Sequence, residues 1–146
     1  MKQFKILWLL IAVFALAACG GDDDEDTASA KIDSALIGTW VKFNPNDDHE
    51  INEAFKFEEK GDVFIIIPGV VNCYGGTFYT DDGVIHANLF PGRMANFKSI
   101  DEFDFWSFAS ESYNWDLKYT ITGNNIKLTR LQDNQSWSLQ RFQTSK

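Results

Sequence analysis

Few residues in this chain carry side chains that do covalent chemistry, and its two cysteines are the most reactive of them. Cys19 ends an unbroken apolar run over residues 6–17, with two alanines directly before it. Cys73 stands among apolar neighbours, and neither histidine, His49 or His86, forms a sequence pattern with it. The chemistry that the sequence predicts therefore centres on Cys19.

The elements around Cys19 predict a signal peptide over residues 1–18. Lys2 and Lys5 supply the positive charge that opens such a segment, and the apolar run follows them. About a dozen apolar residues are too few to span a bilayer permanently. We therefore expect residues 1–18 to direct export and to be removed.

Leu16-Ala17-Ala18-Cys19 resembles the lipobox of bacterial lipoproteins. The resemblance implies that a diacylglyceryl group is attached to the Cys19 thiol, that the signal is cut before this residue, and that the new amino terminus is acylated, for instance with palmitate. Each buried methylene contributes about 0.8 kcal/mol, so two or three chains would hold the protein on a membrane durably. A plain signal peptide with a chance cysteine is the alternative.

A run of five acidic residues, 22–26, follows Gly20-Gly21. Such a run has no apolar surface to bury, so we expect residues 19–33 to form a disordered tether. The run resembles the acidic export signal of Bacteroidetes lipoproteins, although Gly20-Gly21 departs from that pattern. The resemblance implies an outer-membrane protein that is exposed at the cell surface. Without that signal, the periplasmic face is expected.

Charge excludes two classes of partner. The chain has 21 acidic and 13 basic residues, for a net charge of −8. Nucleic acid and anionic lipid headgroups both require a basic patch, so neither is an expected partner of the folded domain. Residues 34–146 are the length of one domain.

No catalytic or metal-binding constellation is present in the sequence, and we expect neither an enzyme nor a cofactor. His49 lies in an acidic segment whose spacing matches no known metal site, and a solvated loop is the simpler interpretation. His86 is expected to be exposed. If Cys19 carries lipid, Cys73 has no intramolecular disulfide partner and is either a buried small hydrophobe or a free thiol.

Short strands with turn signals about every ten residues predict an all-β fold, a single antiparallel up-and-down barrel of about eight strands. The clearest strand is 113–122, in which Trp115, Leu117, Tyr119 and Ile121 are expected to face inward. A turn or loop is expected over residues 44–48. The predicted strands are 36–43, 54–58, 63–67, 74–80, 84–90, 103–109, 113–122, 126–131 and 136–142.

Gly38-Thr39-Trp40, at the start of the first strand, resembles the opening motif of lipocalins and of the lipocalin-like domains of Bacteroidetes lipoproteins. The resemblance implies that Trp40 lies across the closed end of the barrel, with an arginine from a late strand over its ring. Arg141 is the first candidate for this barrel-closing pair, and Arg130 is the alternative. The chain is shorter than a typical lipocalin and lacks its disulfide.

The inward aromatic residues pose the functional question, because they either line a cavity or fill the barrel. A cavity predicts that the barrel binds a small hydrophobic ligand. A filled barrel predicts a non-enzymatic envelope module that contacts a protein or glycan partner through loops, such as residues 96–104. The candidate cavity residues are Phe57, Tyr79, Trp115, Tyr119 and Trp137.

Overall fold

The computed structural model describes residues 30–67, 72–94, 105–107 and 109–143, without the side chains of residues 48, 49, 72, 93, 94 and 105–107. The predicted signal peptide, Cys19, the acidic run and residues 96–104 lie outside the described residues. A single 3-10 turn, Ser34–Leu36, precedes the strands. The nine strands are β1 (Gly38–Asn44), β2 (Asp47–Phe57), β3 (Asp62–Ile67), β4 (Asn72–Asp81), β5 (Val84–Met94), β6 (Phe105–Ser107), β7 (Tyr113–Thr122), β8 (Asn125–Arg130) and β9 (Ser136–Arg141).

The strands form a closed antiparallel barrel, which confirms the predicted fold class. Seven hairpin-type pairings run in sequence order around the ring, with β5 pairing directly with β7. β1 pairs with β9 through Trp40 and Arg141, and this pairing closes the ring of eight strands. The one described strand that is not part of this ring, β6, pairs with the end of β5. Closure leaves no free edge among the eight barrel strands.

The barrel interior follows the period-two alternation of the strands. In β7, Trp115 and Leu117 are buried, and Tyr119 and Ile121 pack against the same core. This confirms the inward face predicted for that strand. The buried core consists of Leu36, Trp40, Phe55, Phe57, Val63, Ile65, Phe78, Ile85, Ala87, Leu89, Trp115, Leu117, Ile126, Leu128, Trp137 and Leu139.

β3 is apolar on both faces because it is covered on both. Val63 and Ile65 point into the barrel core. Ile66 packs instead with a second cluster, built on Val41 and Ala54, on the outer side of neighbouring strands. The all-apolar run of this strand therefore has packing partners on both faces of the sheet.

The first hairpin has a turn within the predicted turn or loop over residues 44–48, but the turn is shorter than that range. Only Pro45 and Asn46 form the turn, and β2 begins at Asp47, which pairs with Asn44. The Asn44 side chain accepts a hydrogen bond from the Asn46 backbone N–H at 3.0 Å, which makes a tight turn in place of a loop. Register shifts after Lys42 accommodate the irregular pairing.

The first strand also begins later than predicted. Leu36 lies in the 3-10 turn, not in β1, because the Asp33 carboxylate caps the turn by accepting from the Ala35 N–H at 2.9 Å. We call residues 31–37 the strap. It crosses the end of the barrel where β1 begins, and its Leu36 side chain is fully buried in the core.

Thr80 holds the strap to β4. Its backbone N–H and its hydroxyl both donate to the Lys31 carbonyl, at 2.7 and 2.9 Å. The Asp33 N–H donates back to the Thr80 hydroxyl at 3.0 Å. Within the part of the chain that is described, no helix has the length and hydropathy needed to cross a bilayer.

Candidate functional site

The five predicted cavity residues do not share one environment. Phe57, Trp115 and Trp137 are 1%, 7% and 3% exposed and belong to the packed core. Tyr119 lies near the strap, and Tyr79 lies outside the barrel. Phe57, Tyr79 and Tyr119 line three different surface grooves.

The inward orientation predicted for Tyr79 is wrong. Phe78 points into the core at 4% exposure, so the next residue in the strand, Tyr79, must point outward, and it is 45% exposed. Either residue of this aromatic pair could have satisfied the alternation. The apolar phenyl ring is inside and the ring with a hydroxyl is in water, as the cost of burying an unpaired hydroxyl favours.

Tyr119 uses its hydroxyl to hold the strap. It donates to Oδ2 of Asp33 at 2.7 Å, across 86 residues of sequence. Burial and the carboxylate raise the pKa of Tyr119 to about 12. The same hydrogen bond, with that from Ala35, lowers the pKa of Asp33. The hydrogen-bond partner of this hydroxyl is therefore a carboxylate of the protein itself.

Arg141 lies over Trp40 at the strap end. The guanidinium carbon is 4.1 Å from the indole centroid, within the range of a cation–π contact. Arg141 also donates to the Ile37 and Ala35 carbonyls, each at 2.7 Å. The Trp40 indole N–H donates to the Leu36 carbonyl at 2.8 Å.

Gly38 is required at this junction. Its φ of +125° is one that residues with a side chain rarely adopt, and an added Cβ would lie 2.8 Å from Arg141 Nη1. Gly38, Trp40 and Arg141 thus meet at one end of the barrel, where the guanidinium joins β9 to the strap.

Arg130 makes a similar contact at the opposite end. Its guanidinium carbon is 4.4 Å from the Trp115 ring centroid and 5.7 Å from that of Trp137. Asp133 and Gln135, in the turn between β8 and β9, accept hydrogen bonds from it. The pKa of Asp133 is lowered to about 2, first because of its hydrogen bond from Arg130.

Aromatic rings pack one against another through the interior. Trp115 and Trp137 stack with centroids 6.0 Å apart, and Phe55 lies 5.3 Å from Trp137. Tyr74 lies 5.1 Å from Trp115. These separations are ordinary ring contacts, so the rings occupy the space between them themselves. Within the described residues, these aromatic side chains contact one another in the middle of the barrel.

A groove of about 570 Å³ lies on the outer face of β4, β5 and β7. We call it the polar groove. Its floor is two rows of cross-strand neighbours, one on each strand, and its wall includes Ala30, Ile32 and Lys60. The rows are Tyr79, His86 and Asp116, and Thr77, Asn88 and Asn114.

Hydrogen bonds order the floor of the polar groove. His86 Nδ1 and Asp116 Oδ1 are 2.7 Å apart, and Gln132 Nε2 donates to the other oxygen of Asp116 at 3.3 Å. Asn88 Nδ2 donates to Asn114 Oδ1 at 2.8 Å. The Tyr79 and His86 rings stack with centroids 4.8 Å apart.

The sequence predicts that His86 is on the outer face but does not predict this cluster. The alternation of β5 and β7 indicates that His86, Asn88 and Asp116 face water. It does not indicate which residues on different strands stand side by side, because that depends on the register. The signal that was available is the polar side chain at every second position of both strands.

The remaining candidates carry little chemistry. Within the described ranges, no group of three or more His, Cys, Asp or Glu residues could hold a metal ion. The side chain of His49 lies outside the described residues, although its backbone belongs to β2 and not to a loop. Cys73 is partly buried and pairs with Ile66 of β3.

Comparisons with protein-family models, with curated proteins and with solved structures gave no match to this chain. The fold and the side-chain geometry therefore carry the functional argument.

Proposed function

We propose that this protein is a lipid-anchored envelope protein whose filled barrel binds a partner through its outer surface, without catalysis. The anchor follows from Cys19 and the residues before it. The outer membrane, with the domain at the cell surface, is the location that the acidic run implies. The barrel is then a rigid scaffold for recognition.

The packed interior is the observation that carries this proposal. Among the described residues, sixteen buried side chains form one core, and the two tryptophans proposed as cavity walls stack on each other. A ligand inside would have to displace these rings, at a cost of several kcal/mol of packing. An outer groove with ordered polar side chains requires no such displacement.

Membrane attachment is tested by changing Cys19→Ser in the full-length protein. We expect the unchanged protein to incorporate labelled palmitate and to partition into detergent, and the variant to do neither. Protease added to intact cells should degrade the domain if it is at the cell surface. Equal partitioning of the two proteins into water would contradict the anchor.

A small hydrophobic ligand within the barrel is the second candidate. The observation that favours it is the end opposite the strap, where Tyr113 and Leu131 are 52% and 49% exposed near the Arg130–Trp115 contact. Exposed apolar side chains at a barrel mouth suit an entering apolar molecule.

Native mass spectrometry after exposure to a lipid extract separates the two candidates. The filled barrel predicts the bare protein mass and no displacement of an apolar fluorescent dye. A discrete added mass that disappears in Trp115→Ala would instead establish the interior ligand and overturn the surface-binding proposal. Trp40→Phe, at the strap end, is the matched control.

A further inference from the structure

The polar groove has the composition of a site for an uncharged, hydroxyl-rich molecule, and it lies on the outer face of the barrel. Its floor combines an exposed aromatic ring with amide, hydroxyl, imidazole and carboxylate groups. We propose that this groove binds a neutral saccharide, with Tyr79 as the stacking platform. This proposal rests on the proposed surface-binding function.

Tyr79 is held ready for such a contact. Its ring stacks on His86 at 4.8 Å with an angle of 24° between the planes, while 45% of the residue stays exposed. Sugar rings present faces of C–H groups that pack on aromatic rings, which carry negative charge on their faces. A ring whose orientation is already fixed loses little conformational entropy on binding.

His86 is itself held by Asp116. The carboxylate engages Nδ1, which leaves Nε2 as the ring nitrogen with no hydrogen bond among the described residues. His86 and Asp116 keep 33% and 43% of their side-chain surface exposed. Imidazole and carboxylate groups both hydrogen-bond to hydroxyls, and Nε2 is placed beside the aromatic platform.

The second row supplies groups that both donate and accept hydrogen bonds. Asn88 and Asn114 each carry a carbonyl oxygen and an NH₂ group, and Thr77 carries a hydroxyl. The bond from Asn88 Nδ2 to Asn114 Oδ1 fixes which ends of the two amides point toward each other. The Asn88 carbonyl oxygen and the Asn114 NH₂ group are then the acceptor and donor that a sugar hydroxyl pair requires.

Spacing agrees with this chemistry. Strands lie about 4.8 Å apart and alternate residues about 7 Å apart, so the two rows cover roughly 10 Å by 7 Å. That area is about the footprint of a disaccharide. The groove volume of about 570 Å³ also falls within the range of small-molecule sites.

Charge selects a neutral ligand. Asp116 is the one carboxylate among the residues that line the groove, His86 lies 2.7 Å from it, and Lys60 lines the same groove. The other floor residues are uncharged. The chain as a whole is strongly acidic, at −8, and would repel polyanionic sugars. A chain of neutral hexoses or pentoses has no negative charge for the acidic protein to repel.

The test uses the full-length lipidated protein in detergent and measures binding by calorimetry and by saturation-transfer NMR. The neutral probes are cellohexaose, maltohexaose, laminarihexaose, xylohexaose and mannohexaose. Oligogalacturonate and a heparin oligosaccharide are the charged probes. We expect at least one neutral probe to bind and neither charged probe to do so.

Tyr79→Ala should weaken binding about tenfold or more, whereas Tyr79→Phe should keep most of it because the ring remains. Asn88→Ala should weaken it severalfold. Tyr113→Ala is the matched control, because it removes an equally exposed tyrosine that does not line the groove. Thermal unfolding should be nearly the same in all four variants, since these side chains are largely at the surface.

Three outcomes would overturn the assignment: no binding of any neutral probe at millimolar concentration, binding only of the charged probes, or equal loss in Tyr79→Ala and Tyr113→Ala. None of these outcomes would affect the surface-binding function itself, which fails only if an interior ligand is found. If the saccharide assignment fails, a protein is the remaining class of partner for the outer surface.

Discussion

The two ends of the barrel contain the same contact, an arginine over a tryptophan, but the arginines are held differently. At the strap end, Arg141 donates to the backbone carbonyls of Ile37 and Ala35, which are 104 and 106 positions away in the sequence. At the other end, Arg130 donates to Asp133 and Gln135, three and five residues away. One arginine joins distant parts of the chain, and the other orders a turn beside its own strand.

This difference indicates how each contact contributes to stability. A long-range contact forms only when the barrel has closed, so its loss is felt by the whole fold. A contact within one turn is partly available before folding is complete, and water can replace some of it at an exposed site. The arginine–tryptophan geometry alone does not distinguish the two roles.

The largest effect is expected from Trp40→Ala at the strap end. The change removes a fully buried indole and its cation–π contact with Arg141. It also leaves the Leu36 carbonyl without its hydrogen-bond donor. We expect the free energy of unfolding to fall by about 4 kcal/mol. Urea denaturation followed by circular dichroism measures it, and a loss below about 1 kcal/mol would show that the strap end is not central.

Exchanging each arginine for methionine compares the two ends directly. Arg141→Met should cost about 3 kcal/mol, because it removes a cation–π contact and two hydrogen bonds to carbonyls. Arg130→Met should cost about 1 kcal/mol, because Asp133 and Gln135 are exposed and can hydrogen-bond to water. Chemical denaturation of the pair gives both values. Equal losses would abolish the proposed distinction.

Tyr119→Phe tests the strap by removing one hydroxyl. We expect a loss of about 1 kcal/mol near pH 7, since the hydrogen bond to Asp33 is charge-assisted but partly exposed. The pKa of Asp33 is lowered, so its contribution is present above pH 4 and is lost as the pH falls through the folded pKa. The pKa of Tyr119 is raised, so its contribution is complete below pH 10 and is lost as the pH rises through about 12.

Stability measured across pH therefore checks this hydrogen bond. The difference between the original protein and Tyr119→Phe should be constant from pH 5 to 9 and should shrink below pH 4. A difference that persists unchanged at pH 2 would mean that the hydroxyl acts through some contact other than the Asp33 carboxylate.

Asp133→Asn should have the smallest effect. Arg130 keeps its contact with Trp115 and its hydrogen bond to Gln135, so we expect a small loss of stability at neutral pH. The folded pKa of Asp133 is about 2, below its ordinary value, so its contribution is present above pH 4 and is lost as the pH falls through 2. Two-dimensional NMR titration of the carboxyl group would measure that pKa, and an ordinary value would contradict the Arg130 contact.

The alternation of apolar and polar residues and the turn signals predicted the all-β class, the barrel and most strand positions. The inward face of β7 was readable because one face carries all its large apolar residues. The faces of β4 were not readable, because Phe78 and Tyr79 are adjacent aromatics and either could be buried. A turn or loop was predicted over residues 44–48, but its short length was not, because the hydrogen bond that shapes it joins the Asn44 side chain to the backbone.

The functional residues also divide into those that the sequence indicates and those that only the tertiary structure brings together. Sequence alone determined the predicted lipid attachment at Cys19, the acidic charge and the strand alternation, because each depends on residues that are neighbours in the chain. Only the tertiary structure decided that Trp115 and Trp137 stack on each other and that Tyr79, His86 and Asp116 lie side by side. Those arrangements depend on the register between strands and on barrel closure, which join residues far apart in the sequence.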